Sequence, residues 1–458
     1  MKIHAIFTFS FAAVAAQQSV SDAFIYSLPA AEFVKTKLRL LIKVPKTYNS
    51  FAVNQPLLPN ETFTAVVAPN VDTVYAAGLF DLRESPRLIT VPPAKDSRYV
   101  VTDFIDPYGN SVFGFTTLEN PNGGNYVLYG PATTDEEANE YAQVKNAKAI
   151  KFNTSDVLGL VRARHNSTDA QSAADFLSSY KAERLQFGID EPRLLKLSTL
   201  LAQVALQGLS LQDILITPSK YSGSLQNSTI AWKWAFLGLK NVEPDSPASA
   251  QYVKTFESVI DEAKANSTFL TEIARQVPSI VKTIQAAALE TGKQYGNGWS
   301  DTSDSIIGNF GENYLVRAAV AFSVYLALPP TMAIYYQTVK DATTGAPYSG
   351  SNEYQFTFKQ LPPANGFWSI TAYYGLGDPN YGFLIKNPIE RFSIGDRTAG
   401  LIYNPDGSLT ITVSAVQPAN PSANWLPVGA NRTFELFLRV YSPKPFISSF
   451  VPPAVEQK

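Results

Sequence analysis

The chain has no cysteine and only two histidines among its 458 residues. The first absence removes disulfides, thiolate nucleophiles, zinc–cysteine sites and iron–sulfur clusters. The second excludes a three-histidine centre of the carbonic-anhydrase kind, and, since His4 lies in the extreme N-terminus and leaves only His165 if that segment is removed, a facial triad with its two imidazoles as well. Charge is scarce as well, with Asp, Glu, Lys and Arg at 17% against about 25% in an average protein. The 37 basic residues are matched by 39 acidic ones, so no cationic excess neutralises phosphates and no nucleic-acid partner is expected. No G-x-G-x-x-G opens a helix after a strand and no G-x-x-x-x-G-K-[ST] occurs, which leaves a nucleotide without a cradle. No EF-hand loop offers an oxygen cage either. No transition metal and no cofactor is expected, a hard-cation site of Asp, Glu and Asn oxygens stays open, and any catalysis falls to carboxylates, Tyr, Lys, Arg or backbone amides.

What is present is apolar and aromatic. With 23 Tyr and 28 Phe the chain reads as globular, long enough for two or three domains. Met1-Lys2-Ile3-His4, an apolar run over residues 5–14 and small residues Ala15 and Ala16 before Gln17 have the layout of a secretory signal peptide. The run is too short to span a bilayer. Secretion with cleavage after Ala16 is therefore expected. N-x-[ST] sequons at Asn60, Asn153, Asn166, Asn227, Asn266 and Asn431 are compatible with glycosylation in a eukaryote. The one remaining histidine, His165, sits in Arg162-Ala163-Arg164-His165-Asn166, a basic stretch that reads as solvated surface rather than a catalytic pocket.

The hydrophobic period changes twice along the chain. Residues 22–42 are helical, with Pro29 expected to break or kink the helix. Short β-rich runs at 74–80, 87–91, 98–105, 111–117 and 125–129 are separated by Pro, Gly and Asn, as in an antiparallel meander. Apolar stripes at Leu194–Val204, Val253–Ala263 and Ile273–Ile284, and an apolar run over 314–328 stopped by Pro329-Pro330, are helical. Strands return at 333–340, 353–358, 367–374, 400–403, 408–413 and 433–441. The expected fold is α+β: two antiparallel β-sandwich-like lobes with an intervening helical segment. The divisions are a signal peptide (1–16), an N-terminal β-rich domain with a leading helix (17–185), a helical segment (186–332), a C-terminal β-rich domain (333–445) and a tail (446–458).

Asn70-Val71-Asp72-Thr73-Val74-Tyr75 and Asp106-Pro107-Tyr108-Gly109-Asn110 resemble the family known as domain of unknown function 1254. Tyr354-Gln355-Phe356-Thr357-Phe358, Phe367-Trp368-Ser369-Ile370-Thr371, Asp406-Gly407-Ser408-Leu409 and Asn424-Trp425-Leu426-Pro427 resemble its companion family, numbered 1214. Glu312-Asn313-Tyr314-Leu315-Val316-Arg317-Ala318 resembles the helix that precedes the second family. The resemblance implies a secreted fungal member in which two β-rich lobes are paired across helices, and it implies no chemistry. Many members carry Arg where this chain has Ala68.

Two clusters are candidates for function. Asp72, Asp103, Asp106 and Tyr108 are candidate acid–base residues, with Asn70, Tyr75 and Asn110 beside them to bind substrate. A carboxylate on an apolar strand face is desolvated and its pKa rises, as a general acid at neutral pH requires, although Asp in N-x-D-T and D-P-Y-G-N also caps turns. Alternation puts Tyr99, Val101, Asp103 and Ile105 on one strand face. The second cluster is aromatic, with Trp368, Tyr373 and Trp425 and the donor Arg391 as further binding candidates. Arg439, in an apolar strand, needs a partner, and Asp406 or Glu390 is expected to supply it. Two functions fit: a secreted, metal-independent tailoring enzyme of small-molecule metabolism (isomerase, cyclase, lyase or hydrolase), or a noncatalytic protein that binds a glycan or hydrophobic ligand. Either places the site at the junction of the lobes.

Overall fold

The computed structural model describes all residues except 1, 54–67, 95, 166–168, 187, 291, 302–305 and 420–423, and the side chains of 2–18, 251, 255 and 289 are also undescribed. The sequons at Asn60 and Asn166 therefore lie outside the described residues. Those at Asn153, Asn266 and Asn431 are exposed, and Asn227 is half-buried.

Helix α1 (Lys2–Lys43) opens the chain. The N-terminal lobe follows as β1 (Phe51–Val53), β2 (Thr73–Asp81), β3 (Arg87–Val91), β4 (Val100–Ile105), β5 (Ser111–Thr116), β6 (Gly124–Tyr129), α2 (Asp135–Val144), β7 (Ala147–Lys151), β8 (Asp156–Arg164), α3 (Ala170–Leu177) and β9 (Lys181–Arg184). One sheet runs β1-β2-β8-β4-β5 and the other β7-β6-β3-β9. Val74, Phe80, Ile89, Phe104, Leu128 and Val161 from both sheets fill the space between them. The lobe is not a pure meander: β6 and β7 pair in parallel, because α2 carries the chain back to the same end of the sheet. Thr134 and Glu137 start that helix with a reciprocal capping box.

The helical segment comprises α4 (Arg193–Leu206), α5 (Leu225–Asn241), α6 (Ala250–Ala265), α7 (Ser267–Ala274) and α8 (Val277–Glu290), then strand β10 (Trp299–Asp301) and helix α9 (Tyr314–Ser323). The apolar stripe from Ile273 to Ile284 is divided between α7 and α8. Helix α1 lies in the middle of this segment, with Ala23, Tyr26, Ala30 and Leu38 fully buried among residues of α5 and α9. That packing explains why Pro29 sits inside one continuous helix: the ring removes a backbone bond, but burial on every side holds the turns before and after it. Gly238 of α5 permits the contact, since a Cβ there would lie 2.6 Å from Ala31 N. Helix α9 ends at Ser323, five residues short of the expected Leu328, and residues 324–332 cross to the second lobe as irregular chain.

The C-terminal lobe contains β11 (Ala333–Thr338), β12 (Tyr348–Ser349), β13 (Tyr354–Phe358), β14 (Ala364–Tyr374), β15 (Ser393–Gly395), β16 (Leu409–Ser414), β17 (Trp425–Pro427), β18 (Thr433–Pro443) and β19 (Glu456–Gln457). Its larger sheet runs β10-β11-β18-β14-β15, with β12 also on β18, and faces a β17-β16-β13-β19 sheet. Tyr354, Phe356, Trp368, Ile370, Leu409, Leu438 and Val440 form its core. The strand expected at 400–403 is absent: those residues are irregular and partly exposed, with no partner strand among the described residues. The architecture is thus α+β, two sandwiches with helices between them. Among the described residues no helix is long and apolar enough to cross a membrane.

Candidate functional site

Strand alternation gives each larger sheet two faces; the second face of the N-terminal lobe's sheet is shared between the helical segment, at Leu79, Leu158 and Leu160, and the C-terminal lobe, at Tyr99 and Val101. On the N-terminal lobe, Val100, Phe104, Val157 and Val161 point into the sandwich core, which leaves Tyr75, Tyr99, Val101, Asp103, Leu160 and Arg162 on the opposite face. On the C-terminal lobe, Ser369, Thr371, Tyr373, Glu435, Phe437, Arg439 and Tyr441 share the face turned away from that lobe's core. Tyr99, Val101, Leu328, Met332, Tyr335, Phe367 and Tyr441 make one apolar cluster across the seam, and the rings of Phe367 and Tyr441 stack at 4.1 Å.

The N-x-D-T motif lies along this seam and is held by the C-terminal lobe. Asp72 accepts from Ser369 Oγ at 2.6 Å and from Arg397 Nη2 at 2.9 Å. Asn70 accepts from the Asp72 amide at 2.7 Å and donates to the Tyr441 hydroxyl. Tyr373 donates to Pro69 O at 2.7 Å, and Arg439 donates to Ala68 O at 2.9 Å and to Thr371 Oγ1 at 3.3 Å. Arg439 thus uses neither expected partner. Asp406 is exposed and caps the turn at Ser408, Glu390 is exposed, and the buried guanidinium lies instead among the rings of Tyr373, Phe437 and Tyr335. The solvated reading of His165 is also corrected. The residue is 6% exposed, its Nε2 is 3.1 Å from Val71 O, and its own carbonyl accepts from Arg397. The stretch before it is the end of β8, a central strand between β2 and β4, and it is buried for that reason despite its basic residues.

Asp103 differs from the other acids. It is fully buried, one oxygen accepts from Ser111 Oγ, and Oδ2 has no partner. Burial pushes its carboxyl up to about 6, against the opposing pull of the Ser111 bond and the Arg162 charge. Arg162, also buried, donates to Leu326 O at 2.6 Å and lies 5.8 Å from the Tyr75 ring, while its Nε is unpartnered. Arg162 pairs with Val101 across the ladder and Asp103 with Leu160, so the two side chains are diagonal neighbours on one face. Among the described residues they form no salt bridge. Gly114, opposite Asp103, lets Met332 and the Asp103 carboxylate pack against the strand: a Cβ there would stand 2.7 Å from Met332 Cε and 3.0 Å from Asp103 Oδ1. Leu326, whose carbonyl is tied to Arg162, has φ of 65°, a strained conformation for a branched side chain.

Asp106, Tyr108 and Asn110 lie apart from the seam, in a turn against the helical segment. Asp106 Oδ1 accepts from the amides of Tyr108 and Asn110, both at 2.9 Å, and Oδ2 from Asn110 Nδ2 at 2.8 Å. Although burial pushes this carboxyl up to about 6 as well, both oxygens are committed to the turn. Tyr108 accepts from the Tyr26 hydroxyl at 3.0 Å, and its ring stands 4.6 Å from the guanidinium carbon of Arg317. Arg317 is enclosed by Tyr26, Tyr108 and Tyr314 and paired with Asp245, so it ties α1, the turn and α9 together. Trp368 belongs to the C-terminal core, Trp425 donates to Ser414 O at 3.1 Å, and Arg391 donates to Trp425 O at 3.1 Å. The structure therefore brings Asn70, Asp72, Tyr75, Asp103 and Tyr373 to the seam, and places the other candidates elsewhere.

Sequence reasoning missed Arg162 and Glu435. Arg162 was hidden in an apparent surface run, although Leu158-Gly159-Leu160-Val161-Arg162 carries a strand signal. Glu435 precedes Phe437, Arg439 and Tyr441 at a spacing of two, which marks one face of β18. It is 2% exposed, accepts from Gln337 Nε2 at 3.0 Å, and burial pushes it up to about 8. Two surface recesses of about 440 and 430 Å³ lie on the helical segment, beside Leu206 and Lys240 and beside Leu225 and Lys233, and neither includes a seam residue.

Residues 48–184 match the family described as protein of unknown function DUF1254, and residues 332–445 match that described as protein of unknown function DUF1214. The VPA0106 protein from Vibrio parahaemolyticus has a similar fold at a TM-score of 0.59 and 18% identity, over 97% of this chain and 100% of that one. An uncharacterised protein from Burkholderia cenocepacia aligns at a TM-score of 0.43 and 12% identity, over 98% and 96% of the two chains. No curated protein matches the sequence.

Proposed function

We propose, for a chain that joins a DUF1254 region to a DUF1214 region, that it is a secreted enzyme which takes a small molecule between its two lobes and moves a proton on it, with Asp103 as the acid–base group. One observation carries the reading: a buried carboxyl that keeps an unpartnered oxygen in a polar cluster between lobes. A buried acceptor without a partner is costly, and sites that combine such groups with a nearby fixed charge are where acid–base chemistry is done. A pKa of about 6 leaves Asp103 able to take and return a proton near neutral pH. Arg162 supplies a fixed positive charge for negative charge that develops on the substrate. Proton removal and return fits an isomerase, cyclase or lyase. Asp72 and Asp106 have both oxygens bonded within the protein and serve as positioning and turn-capping groups in this reading.

The noncatalytic alternative rests on the aromatic cluster of Tyr99, Phe367 and Tyr441, which suits an apolar ligand without any chemistry. Asp103→Asn separates the two. A panel of small enolisable and hydroxylated compounds, incubated with the protein in D2O and followed by mass spectrometry for conversion or deuterium uptake, should include one on which the variant is at least ~100-fold slower, with little change in melting temperature. A substrate turned over equally well by Asp103→Asn defeats the assignment, and ligand retention without turnover by either protein supports the binding alternative.

Secretion rests on the basic start, apolar run and small residues of the first 16 positions. Protein recovered from the medium should begin at Gln17 or a close neighbour by N-terminal sequencing, and an intact Met1 would overturn the leader assignment.

A further inference from the structure

We infer that the seam recognises a hydroxyl or enol group of its ligand, seated between Asp103 Oδ2 as acceptor and Arg162 Nε–H as donor. The inference rests on the seam being the site and adds the chemical class it takes. Two buried, oppositely charged side chains that are diagonal neighbours on one sheet face ordinarily close into an ion pair. These two do not. Each is secured by its other end, Asp103 by Ser111 and Arg162 by the Leu326 carbonyl, and each leaves one atom unused, Oδ2 and Nε. An acceptor and a donor held apart in this way ask for one group that donates and accepts at once.

The charges narrow the choice. A carboxylate or phosphate would meet the Asp103 carboxylate, and an ammonium would meet the Arg162 guanidinium, each like-charge contact being costly in a buried place. A neutral hydroxyl satisfies both: its proton goes to Oδ2 and its oxygen accepts from Nε–H. The walls are aromatic. Tyr75 lies beside Arg162, and Tyr335 and Tyr441 are within electrostatic reach of the same guanidinium. Such walls suit a planar ligand, which favours a phenol or enol over an aliphatic alcohol. The other ionisable groups around the pair are Tyr75 from β2, Tyr99 just before β4, Tyr335 from β11, and Arg439 and Tyr441 from β18. Burial holds Tyr335 and Tyr441 above their ordinary value, so they stay neutral through the titration below. The strained Leu326, which ties the crossing chain of residues 324–332 to Arg162, is the point at which the segment would yield to admit a ligand.

The probe is 4-nitrophenol, whose colour reports its own ionisation, with 4-nitroanisole as the hydroxyl-blocked comparator, each titrated against the full chain. The wild type should bind the phenol at least ~10-fold more tightly than the ether. Its affinity should fall about tenfold per pH unit above the phenol's own pKa, because phenolate then faces a carboxylate. Asp103→Asn replaces the acceptor with an amide donor while keeping size and the Ser111 bond, so the preference should invert and binding should tighten as the phenol ionises. Arg162→Met should weaken both forms, and if that variant folds poorly the Asp103→Asn profile decides alone. Equal binding of the ether, an unchanged pH profile in Asp103→Asn, or no binding of nitrophenol, which would leave the pair holding a buried water only, each overturns the inference. Its fate is separable from that of the catalytic reading. The nitrophenol profile without any Asp103-dependent turnover leaves a hydroxyl-binding protein, and Asp103-dependent turnover without hydroxyl preference sinks this inference alone.

Discussion

Asp72→Ala is expected to lower the melting temperature through a loss of about 1–3 kcal/mol. Asp72 is 5% exposed and receives Ser369 and Arg397 from two separate elements of the C-terminal lobe. Truncation takes from the half-buried Arg397 guanidinium its nearer carboxylate, leaving it Asp396 at 3.6 Å and the His165 carbonyl, and leaves a buried hydroxyl without its acceptor, and both penalties fall on the contact that joins the lobes. Asp72→Asn should recover part of the loss, because the amide oxygen can still accept from Ser369. Differential scanning calorimetry of the three proteins reads the order directly. A midpoint for Asp72→Ala within ~2 °C of wild type would show that the apolar cluster alone holds the lobes together, and that the N-x-D-T contacts add nothing to stability.

Glu435 makes the opposite kind of prediction, in which removing a charge stabilises. Burial raises its folded-state pKa from the ordinary 4.5 to about 8, so between those two values the folded chain binds a proton that the unfolded chain releases. Stability conferred by the neutral carboxyl is complete below about pH 4.5 and is lost as pH rises through 8. Glu435→Gln keeps the volume and the acceptor for Gln337 without the ionisation. It should match wild type in acid and exceed it above pH 8 by up to about 5 kcal/mol. Urea denaturation at a series of pH values tests this, and parallel curves for the two proteins would refute it. The same measurement bears on catalysis, because Glu435 shares the seam face with Arg439 and Tyr441: turnover that survives in Glu435→Gln assigns it to the interface rather than to the chemistry.

The sheets were legible where side chains alternate cleanly. Arg87–Val91 matches its strand to the residue, and the assignment of Asp103 to the same face as Tyr99 and Val101 follows from period two alone. Legibility failed where tertiary packing outweighs local pattern. Pro29 looks like a break or a kink, and no break occurs, since it lies inside α1; Arg162 to His165 look like solvated surface but end a central strand. The end of α9 cannot be placed from pattern alone, since the apolar run over 314–328 satisfies helix and crossing chain equally; its last residues, Val324 to Leu328, leave the helix and bring the Leu326 carbonyl to Arg162. For the site, the two motifs quoted for the resemblance to family 1254 were both found in buried polar surroundings, yet on different sides of the lobe. Their nearness in sequence gave no sign that one meets the second sandwich and the other the helices. Whether an Asp has a spare oxygen depends on partners hundreds of residues away, such as Ser369 for Asp72, and no local spacing encodes that.

The central position of α1 has a consequence for how the chain assembles. The residues around Ala30 pack against Gly238, and the rings of Tyr26 and Tyr314 meet edge to face at 5.2 Å. The segment made first is therefore finished last: it must wait for partners that emerge from the ribosome some 200 to 290 residues later. Until then an apolar helix has no docking place, and a long loop has to close before those contacts repay its entropy. Such a chain folds slowly and exposes a sticky amphiphile while it does so, so its yield on refolding should depend on concentration far more than its final stability suggests.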